Sequence, residues 1–295
     1  MPGTLWVVGT PIGNLEDVTE RARRVLGSAD LIACEDTRRT GRLLQHLGIE
    51  RKRLVSFFEG NEKRRVPELI AELRSGVDVA VVTDAGMPGV SDPGYRLVAA
   101  CVEDGVAVDV APGPSAVVAA LVISGLPTDR FVFEGFPPRS GKARTERLGA
   151  LGREPRTVVL FESPNRVGRT LQDLLAAGGD RRVAVVRELT KMHQEVLRGS
   201  LKQVAETLAT RELKGEVVLV VEGVGGPESS LADAVEMARE RVQAGARKRD
   251  AARDAAGRTG VPARRIYEGL LTDGPQGAEA GSRRSSAGRR ADSSE

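Results

Sequence analysis

Short runs rich in β-branched and aliphatic residues alternate with stretches of helical period through the first 112 residues. Leu5 to Val8, Leu31 to Cys34, Val77 to Thr83 and Val106 to Ala111 predict strands, while Asp17 to Leu26, Arg38 to Leu47, Glu62 to Arg74 and Gly94 to Glu103 predict helices. Strand, helix, strand in that rhythm predicts a mostly parallel α/β sheet with buried strands. A second set, Phe131 to Glu134, Thr157 to Glu162, Val183 to Glu188, Glu195 to Gly199 and Glu216 to Glu222, is more closely spaced, with helices over Leu171 to Ala177 and Leu201 to Ala209. It predicts a mixed α/β or α+β second domain, with a hinge near Leu126 to Arg130.

Beyond Gly223 the pattern changes. Leu231 to Gln243, Arg247 to Arg258 and Pro262 to Leu271 predict three helices separated by Ala-Gly and Gly-Val-Pro, a small trihelical unit. After Asp273 the chain is Gly, Ser, Arg and Ala without apolar period, the composition of a disordered tail. The expected organisation is therefore domains over 1–127 and 128–225, a helical unit over 226–273 and a tail over 274–295.

The 295 residues are 40% hydrophobic and 29% charged, a soluble globular composition. The formal charge of +3 is too small to imply a polyanionic partner, but its location is informative. Residues 1–230 carry 31 charges of each sign, whereas 231–295 carry 13 basic against 10 acidic. Cys34 and Cys101, the only cysteines, support neither a disulfide framework nor a zinc cluster and read as free thiols of a reducing cytosol. Met1 to Gly13 lacks the regions of a signal peptide, and no stretch approaches the ~18 apolar residues of a membrane span. An exported or membrane-spanning protein is not expected.

Three clusters follow predicted strands. Val8-Gly9-Thr10-Pro11-Ile12-Gly13-Asn14-Leu15 is a glycine turn whose backbone N–H groups suit an anion or a nucleotide edge, or simply a tight turn. It is neither a Rossmann fingerprint nor a P-loop. Thr83 to Gly94, with three Gly and two Pro in the nine residues from Gly86, sits at the carboxyl end of a strand, where open α/β sheets place ligand crevices. Ala111-Pro112-Gly113-Pro114-Ser115-Ala116 opens a small-residue helix that Ser115 caps or from which it touches a ligand.

In order and spacing, VGTPIGNLEDVT, CEDTR, DAGMPGVSDPGY, PGPSA, EGFPPR, ESPNR, RELTK and KGEVVLVVEG resemble the tetrapyrrole methylase superfamily, and within it the ribosomal RNA small subunit methyltransferase I group. The likeness runs over about residues 4 to 223 and more loosely through the helical unit. It implies a two-domain α/β fold, usually a homodimer, that binds S-adenosylmethionine between its domains and methylates the ribose 2′-oxygen of a cytidine in 16S rRNA of the small subunit. It places cofactor contacts on Asp84, Gly86, Met87, Val90 and Ser91, on Ser115 and Ala116, on Phe161 and Pro164, and on Lys214, Gly215 and Glu216. Pro11 and the turn around it, Asn14 included, would face the substrate.

Methyl transfer from a sulfonium is an in-line displacement that needs alignment and an exit for the hydroxyl proton, and no metal. Glu35, Asp36 and Lys191 are candidates for the chemical step, with Arg38 and Arg187 for flanking phosphates. Each has a plainer reading: Glu35-Asp36 as a helix N-terminal pair, Arg187-Glu188 as an ion pair between domains. His46 and His193 lack the partners of a metal site, and no serine has the neighbours of a hydrolase triad. From Arg239 to Arg265 there are nine basic residues against three acidic, so that Arg247, Arg249 and Arg264 are candidates for rRNA contact, unless the excess reflects a composition of 37 Arg to seven Lys. Rival readings are a tetrapyrrole ring methyltransferase and a non-catalytic nucleic-acid-binding regulator.

Overall fold

The computed structural model describes residues 2–50, 52–224, 231–259 and 261–272, in two compact units divided after Val224. In the first unit β1 (Leu5–Val8), β2 (Leu31–Cys34), β3 (Arg53–Ser56), β4 (Val79–Val82) and β5 (Val108–Ala111) form a sheet in the order β3-β2-β4-β1-β5. All its pairings are parallel. Side chains alternate across it, as the pleat requires. Leu5, Leu31, Ala33, Val79 and Val81 turn to one face, against Phe57 and against Leu69, Leu73 and Leu97 of α3 (Glu62–Arg74) and α4 (Tyr95–Glu103). Val8, Ile32, Cys34, Ala80 and Val82 turn to the other, against α1 (Glu20–Ser28) and α2 (Thr37–His46).

Two local features differ from expectation. The helix expected from Asp17 begins at Glu20, because Thr19 accepts the Ala22 N–H at 3.1 Å and Leu15–Asp17 forms a separate 3-10 turn. The edge strand β3 was not expected at all.

The second sheet consists of β6 (Phe131–Phe133), β7 (Thr157–Glu162), β8 (Arg182–Arg187), β9 (Glu195–Ser200) and β10 (Val217–Val221), in the order β6-β7-β10-β8-β9. Only β6 and β7 pair in parallel, so the sheet is mixed. One face packs on α6 (Gly141–Leu151), α7 (Val167–Gly178) and α8 (Leu201–Leu208). The other takes α5 (Ala116–Ser124), whose Val117, Ala120 and Leu121 meet Val159, Val186, Val218 and Val220. Thus α5 precedes the expected hinge at 126–130 in the chain yet belongs to the core of the sheet that follows it.

Helix α6 was not expected either. Its inward position Arg144 is only 2% exposed and donates to Thr170 Oγ1 at 2.8 Å and Asp173 Oδ2 at 2.9 Å. The Arg144 guanidinium also lies 3.7 Å from Glu162, which in turn accepts from the Thr170 hydroxyl at 2.6 Å and from Arg166 and the Ser163 N–H, both at 2.7 Å. A buried charge is tolerated when it is paired and hydrogen-bonded on all sides.

The second unit holds α9 (Leu231–Gln243), α10 (Lys248–Thr259) and α11 (Ala263–Thr272) around Ala234, Val235, Ala238, Ala251, Ala252, Ala255, Ile266 and Leu270. Small residues let these helices approach closely: a Cβ on Gly269 would lie 2.4 Å from Val235. Among the described residues no helix is long and apolar enough to cross a membrane. The expected tail over 274–295 lies outside the described residues.

Candidate active site

Parallel strands deliver their following loops to one edge of a sheet. Here the loops after β1, β4 and β5 meet. Thr10 and Gly86 exchange backbone hydrogen bonds of 2.9 and 3.1 Å in an isolated antiparallel bridge, and the Thr10 hydroxyl donates to the Thr83 carbonyl at 3.0 Å. Gly9 lies against Gly113 so closely that a Cβ on Gly9 would be 2.7 Å from the Gly113 nitrogen. The long loop after β4 is tied at its far end by Glu62 of α3, a buried carboxylate that accepts the Gly94 N–H at 3.1 Å.

These loops, the start of α5, the end of β7 and the turn before β10 enclose a cavity of about 350 Å³. The structure brings Gly86, Met87, Val90, Ser91, Ser115, Ala116, Phe161, Pro164, Gly215 and Glu216 together in its wall. It does not place Asp84 or Lys214 there. Asp84 turns to a neighbouring cavity and pairs with Arg39 at 3.2 Å, while the exposed Lys214 side chain points to Glu212 and its carbonyl accepts from Arg187. Ile12, Asp92, Val117, Phe136, Val186, Leu189 and Val218 line the cavity without having been singled out from sequence. Their place depends on how β8 and β10 pair and on a loop reversal, neither of which leaves a local signal. Five of the seven nonetheless lie inside the quoted motifs, Asp92 as the second carboxylate of DAGMPGVSDPGY; only Val117 and Val186 fall outside them.

The wall is mostly apolar, with Ser91, Asp92, Ser115, Glu162 and Glu216 as polar groups. Ser115 caps α5 through a 3.5 Å contact from the Val118 N–H, and the first N–H groups of that helix, at Ala116 and Val117, have no partner one turn earlier. Phe161 stacks edge-on with Phe133 and tilted on Phe136, at centroid distances of 5.0 and 5.4 Å. Such a chamber suits an amphipathic molecule of nucleoside size.

Four carboxylates crowd the loops. Asp36 caps α2, accepting the Arg38 N–H at 2.8 Å, and its second oxygen holds the Arg38 guanidinium at 2.8 Å. The Arg38 side chain and then its N–H keep the Asp36 carboxyl far below the usual carboxylate range. Asp36 and Arg38 thus pair with each other at the start of α2. Glu35 accepts the Asp84 N–H at 3.3 Å, and Asp84 accepts the Asp36 N–H at 3.2 Å. Asp92 faces the cavity; burial, then the nearby Glu35 and Asp84 charges, push its pKa up to about 6.

The RELTK segment forms a tight loop after β8 in which Glu188 and Thr190 have φ of 50° and 65°. Burial opposes the charge on Lys191, but Glu188 and Glu216, each 3.0 Å from its Nζ, outweigh it and raise its pKa. Lys191 is therefore held as a cation and presents no free amine. Arg187 faces Glu195 across the β8–β9 pair at 3.2 Å, an ion pair within one sheet instead of the expected pair between domains. Asn14 caps the 3-10 turn through the Glu16 N–H at 3.1 Å and lines neither cavity, whereas Thr10, Pro11 and Leu15 reach the neighbouring cavity with Asp84. In the second unit Arg247, Arg249 and Arg264 are all exposed, and Arg264 pairs with Glu268 one turn away at 2.9 Å. Among the described residues no cluster of His, Cys, Asp and Glu could hold a metal ion.

A parallel α/β sheet whose strand-end loops close an amphipathic chamber against a second, mixed sheet defines a ligand-binding enzyme class. Residues 4–205 match the model of the Tetrapyrrole (Corrin/Porphyrin) Methylases, and the chain belongs to that family. It is 49% identical to Ribosomal RNA small subunit methyltransferase I of Thermotoga maritima over 221 residues, 75% of this chain and 99% of that protein. It is 46% identical to the protein of the same name from Mycobacterium tuberculosis, over 91% of this chain and 95% of the relative. In fold it is similar to uroporphyrin-III-C-methyltransferase from Thermus thermophilus (TM-score 0.54, 24% identity, 75% of this chain and 95% of that one), including a structure described as complexed with S-adenosylhomocysteine (TM-score 0.54, 22% identity, 75% and 98%).

Proposed function

We propose that this protein methylates small-subunit ribosomal RNA, using S-adenosylmethionine, at the ribose 2′-oxygen of a cytidine. The observation that carries the reading is the 46% identity over 91% of the chain, helical unit included, to a relative named for that RNA. The cavity supports the cofactor. Ile12, Phe161, Leu189 and Val218 offer apolar walls for a flat heterocycle, while Ser115 and the amides at the start of α5 suit a charged end. When bound, S-adenosylmethionine supplies an electrophilic methyl group on a positive sulfonium.

The rest of the chemistry falls to the chain. A ribose hydroxyl is far too weak an acid to ionise at neutral pH, so a base must take its proton as the oxygen attacks. We assign that role to Asp92: it faces the cavity, and a base whose pKa lies near the working pH is the most effective. Glu35 and Asp84 would then raise the basicity of Asp92 by their charge. The exposed Arg247 and Arg249 suit phosphate contacts. We further propose a homodimer in the cytoplasm; the pairing is supported by α5, which is apolar all round and leaves Val118 and Val122 exposed.

Incubation with radiolabelled S-adenosylmethionine and 30S subunits, free 16S rRNA or a tetrapyrrole tests the reading. Methyl transfer to RNA in an alkali-resistant dinucleotide, the mark of a 2′-O-methyl group, is expected. Transfer to the tetrapyrrole alone would replace it with ring methylation, and binding without transfer with a regulator.

A further inference from the structure

The cavity that takes Asp84 has no role in the chemistry so far. It measures about 470 Å³ and adjoins the first along the bridged segments: Thr10 and Pro11 line it where Ile12 lines the first, and Thr83 and Asp84 line it where Ala85 and Gly86 line the first. Its outer wall is α2, which contributes Arg39 and Arg42.

The charges are unequal. Asp84 pairs with Arg39 at 3.2 Å, which leaves Arg42, exposed and without an ion-pair partner among the described residues, as the net positive charge of the chamber. Its wall also holds Thr83, 2% exposed, whose hydroxyl makes no hydrogen bond to protein although its own carbonyl is taken by Thr10. A buried hydroxyl without a partner costs roughly 1–3 kcal/mol, so it persists where something other than the protein satisfies it. One unneutralised guanidinium and one spare hydroxyl, beside apolar Pro11 and Leu15, are groups for an anion carried on a sugar.

We propose that this second cavity is a subsite for RNA backbone, taking the ribose-phosphate next to the methylated nucleotide, with Arg42 on the phosphate and the Thr83 hydroxyl on an oxygen of the same unit. The inference rests on the reading of the protein as an RNA methyltransferase. Since the cavity adjoins the cofactor chamber across one bridged pair of segments, the phosphate held here sets which ribose reaches the methyl group.

Arg42→Gln and Thr83→Val test it, with steady-state methylation of 30S subunits and calorimetry with S-adenosylmethionine. Arg42→Gln should raise KM for RNA about tenfold, lower the slope of log K against log salt by about one, and leave cofactor affinity unchanged. Thr83→Val removes only an unbonded hydroxyl, so it should leave the melting temperature equal or higher and raise KM about three- to tenfold. An active wild type with KM and salt slope unchanged in both variants overturns the subsite alone. A wild type that transfers no methyl to any RNA overturns the functional reading and the subsite with it. A fall in cofactor affinity in either variant also overturns it, because the residues would then belong to the first cavity.

Discussion

The Glu188 carboxylate fills the space where a side chain at position 215 would stand: a Cβ on Gly215 falls 2.2 Å from Glu188 Oε1. The same oxygen accepts the Glu216 N–H at 2.9 Å and the Lys191 ammonium at 3.0 Å. Gly215, at φ +92°, thus lets one carboxylate clamp the turn before β10 to the loop after β8. Gly215→Ala should displace that clamp and add the strain of a left-handed residue, about 1–2 kcal/mol. The turn lines the cavity proposed for the cofactor, so affinity for S-adenosylmethionine should fall about tenfold while urea denaturation shows a comparably small loss of stability. Unchanged affinity by calorimetry would detach the turn from the cofactor.

Asp92 sets a pH dependence. If it takes the hydroxyl proton it must be ionised, so the single-turnover rate should fall about tenfold per unit below pH 6 and level off above it. Asp92→Asn should cost ~10²-fold or more, lose that limb and keep RNA and cofactor affinity. Stability runs the other way. A carboxyl whose pKa is raised by folding contributes stability below about pH 4, and that contribution is lost as pH rises through 6. The Asn variant should therefore melt higher than wild type at pH 8 and level with it at pH 3.5. An acid limb surviving in Asp92→Asn would return Glu35 to the front.

Arg144 cannot be removed cheaply. Arg144→Met takes a partner from the buried Glu162 and from the part-exposed Asp173 and should destabilise the first unit by about 3–5 kcal/mol in urea. Since Glu162 also lines the cavity proposed for the cofactor and holds the Ser163 N–H, cofactor affinity should fall even in 0 M denaturant, where the variant is folded. A loss below about 1 kcal/mol would mean that water enters and takes over the pairing.

The Thermotoga relative is matched over 99% of its length by 221 residues of this chain, a length close to that of the first unit. A relative of that length is too short to hold both a body of this size and a unit like α9–α11. Deleting residues 231 to 295 should leave S-adenosylmethionine affinity unchanged, weaken 16S rRNA binding and flatten its salt dependence. An equal salt slope in full-length and shortened protein would show that Arg247 and Arg249 only face water.

Most strands were legible because they are short apolar runs buried on both faces, as in β2 and β4. β3 was missed because it is an edge strand of only four residues that starts with an exposed Arg53 and has no fully buried position. Helix α6 was missed for a different reason: the inward position between Gly141 and Leu148 is Arg144, which a hydrophobic pattern counts as surface. The motifs also point to the glycine loops that line the first cavity, but Asp84, expected among them, lines the neighbouring one, and Asp92, given no role from sequence, lines the first. A single loop carries both carboxylates, and which one turns to which cavity depends on its ties at Gly86 and Gly94, contacts to residues far away in sequence. Lys191 and Asp36 stand out in sequence as polar members of the CEDTR and RELTK motifs; their partners, Arg38 for Asp36 and Glu188 and Glu216 for Lys191, show only in three dimensions.

Helix α5 has a consequence for how the molecule is made. It emerges from the ribosome long before β10, yet β10 is the strand that joins β7 to β8 beneath it. Until residue 221 has been synthesised, a helix without a polar face has no completed sheet to lie on. Nascent chains stalled before Val217 should therefore bind a hydrophobic dye that chains stalled well after Val224 do not, and they are natural clients for a holding chaperone. A fragment starting at residue 128 inherits the complementary defect: it is born with a sheet whose covering helix was left behind on the other piece.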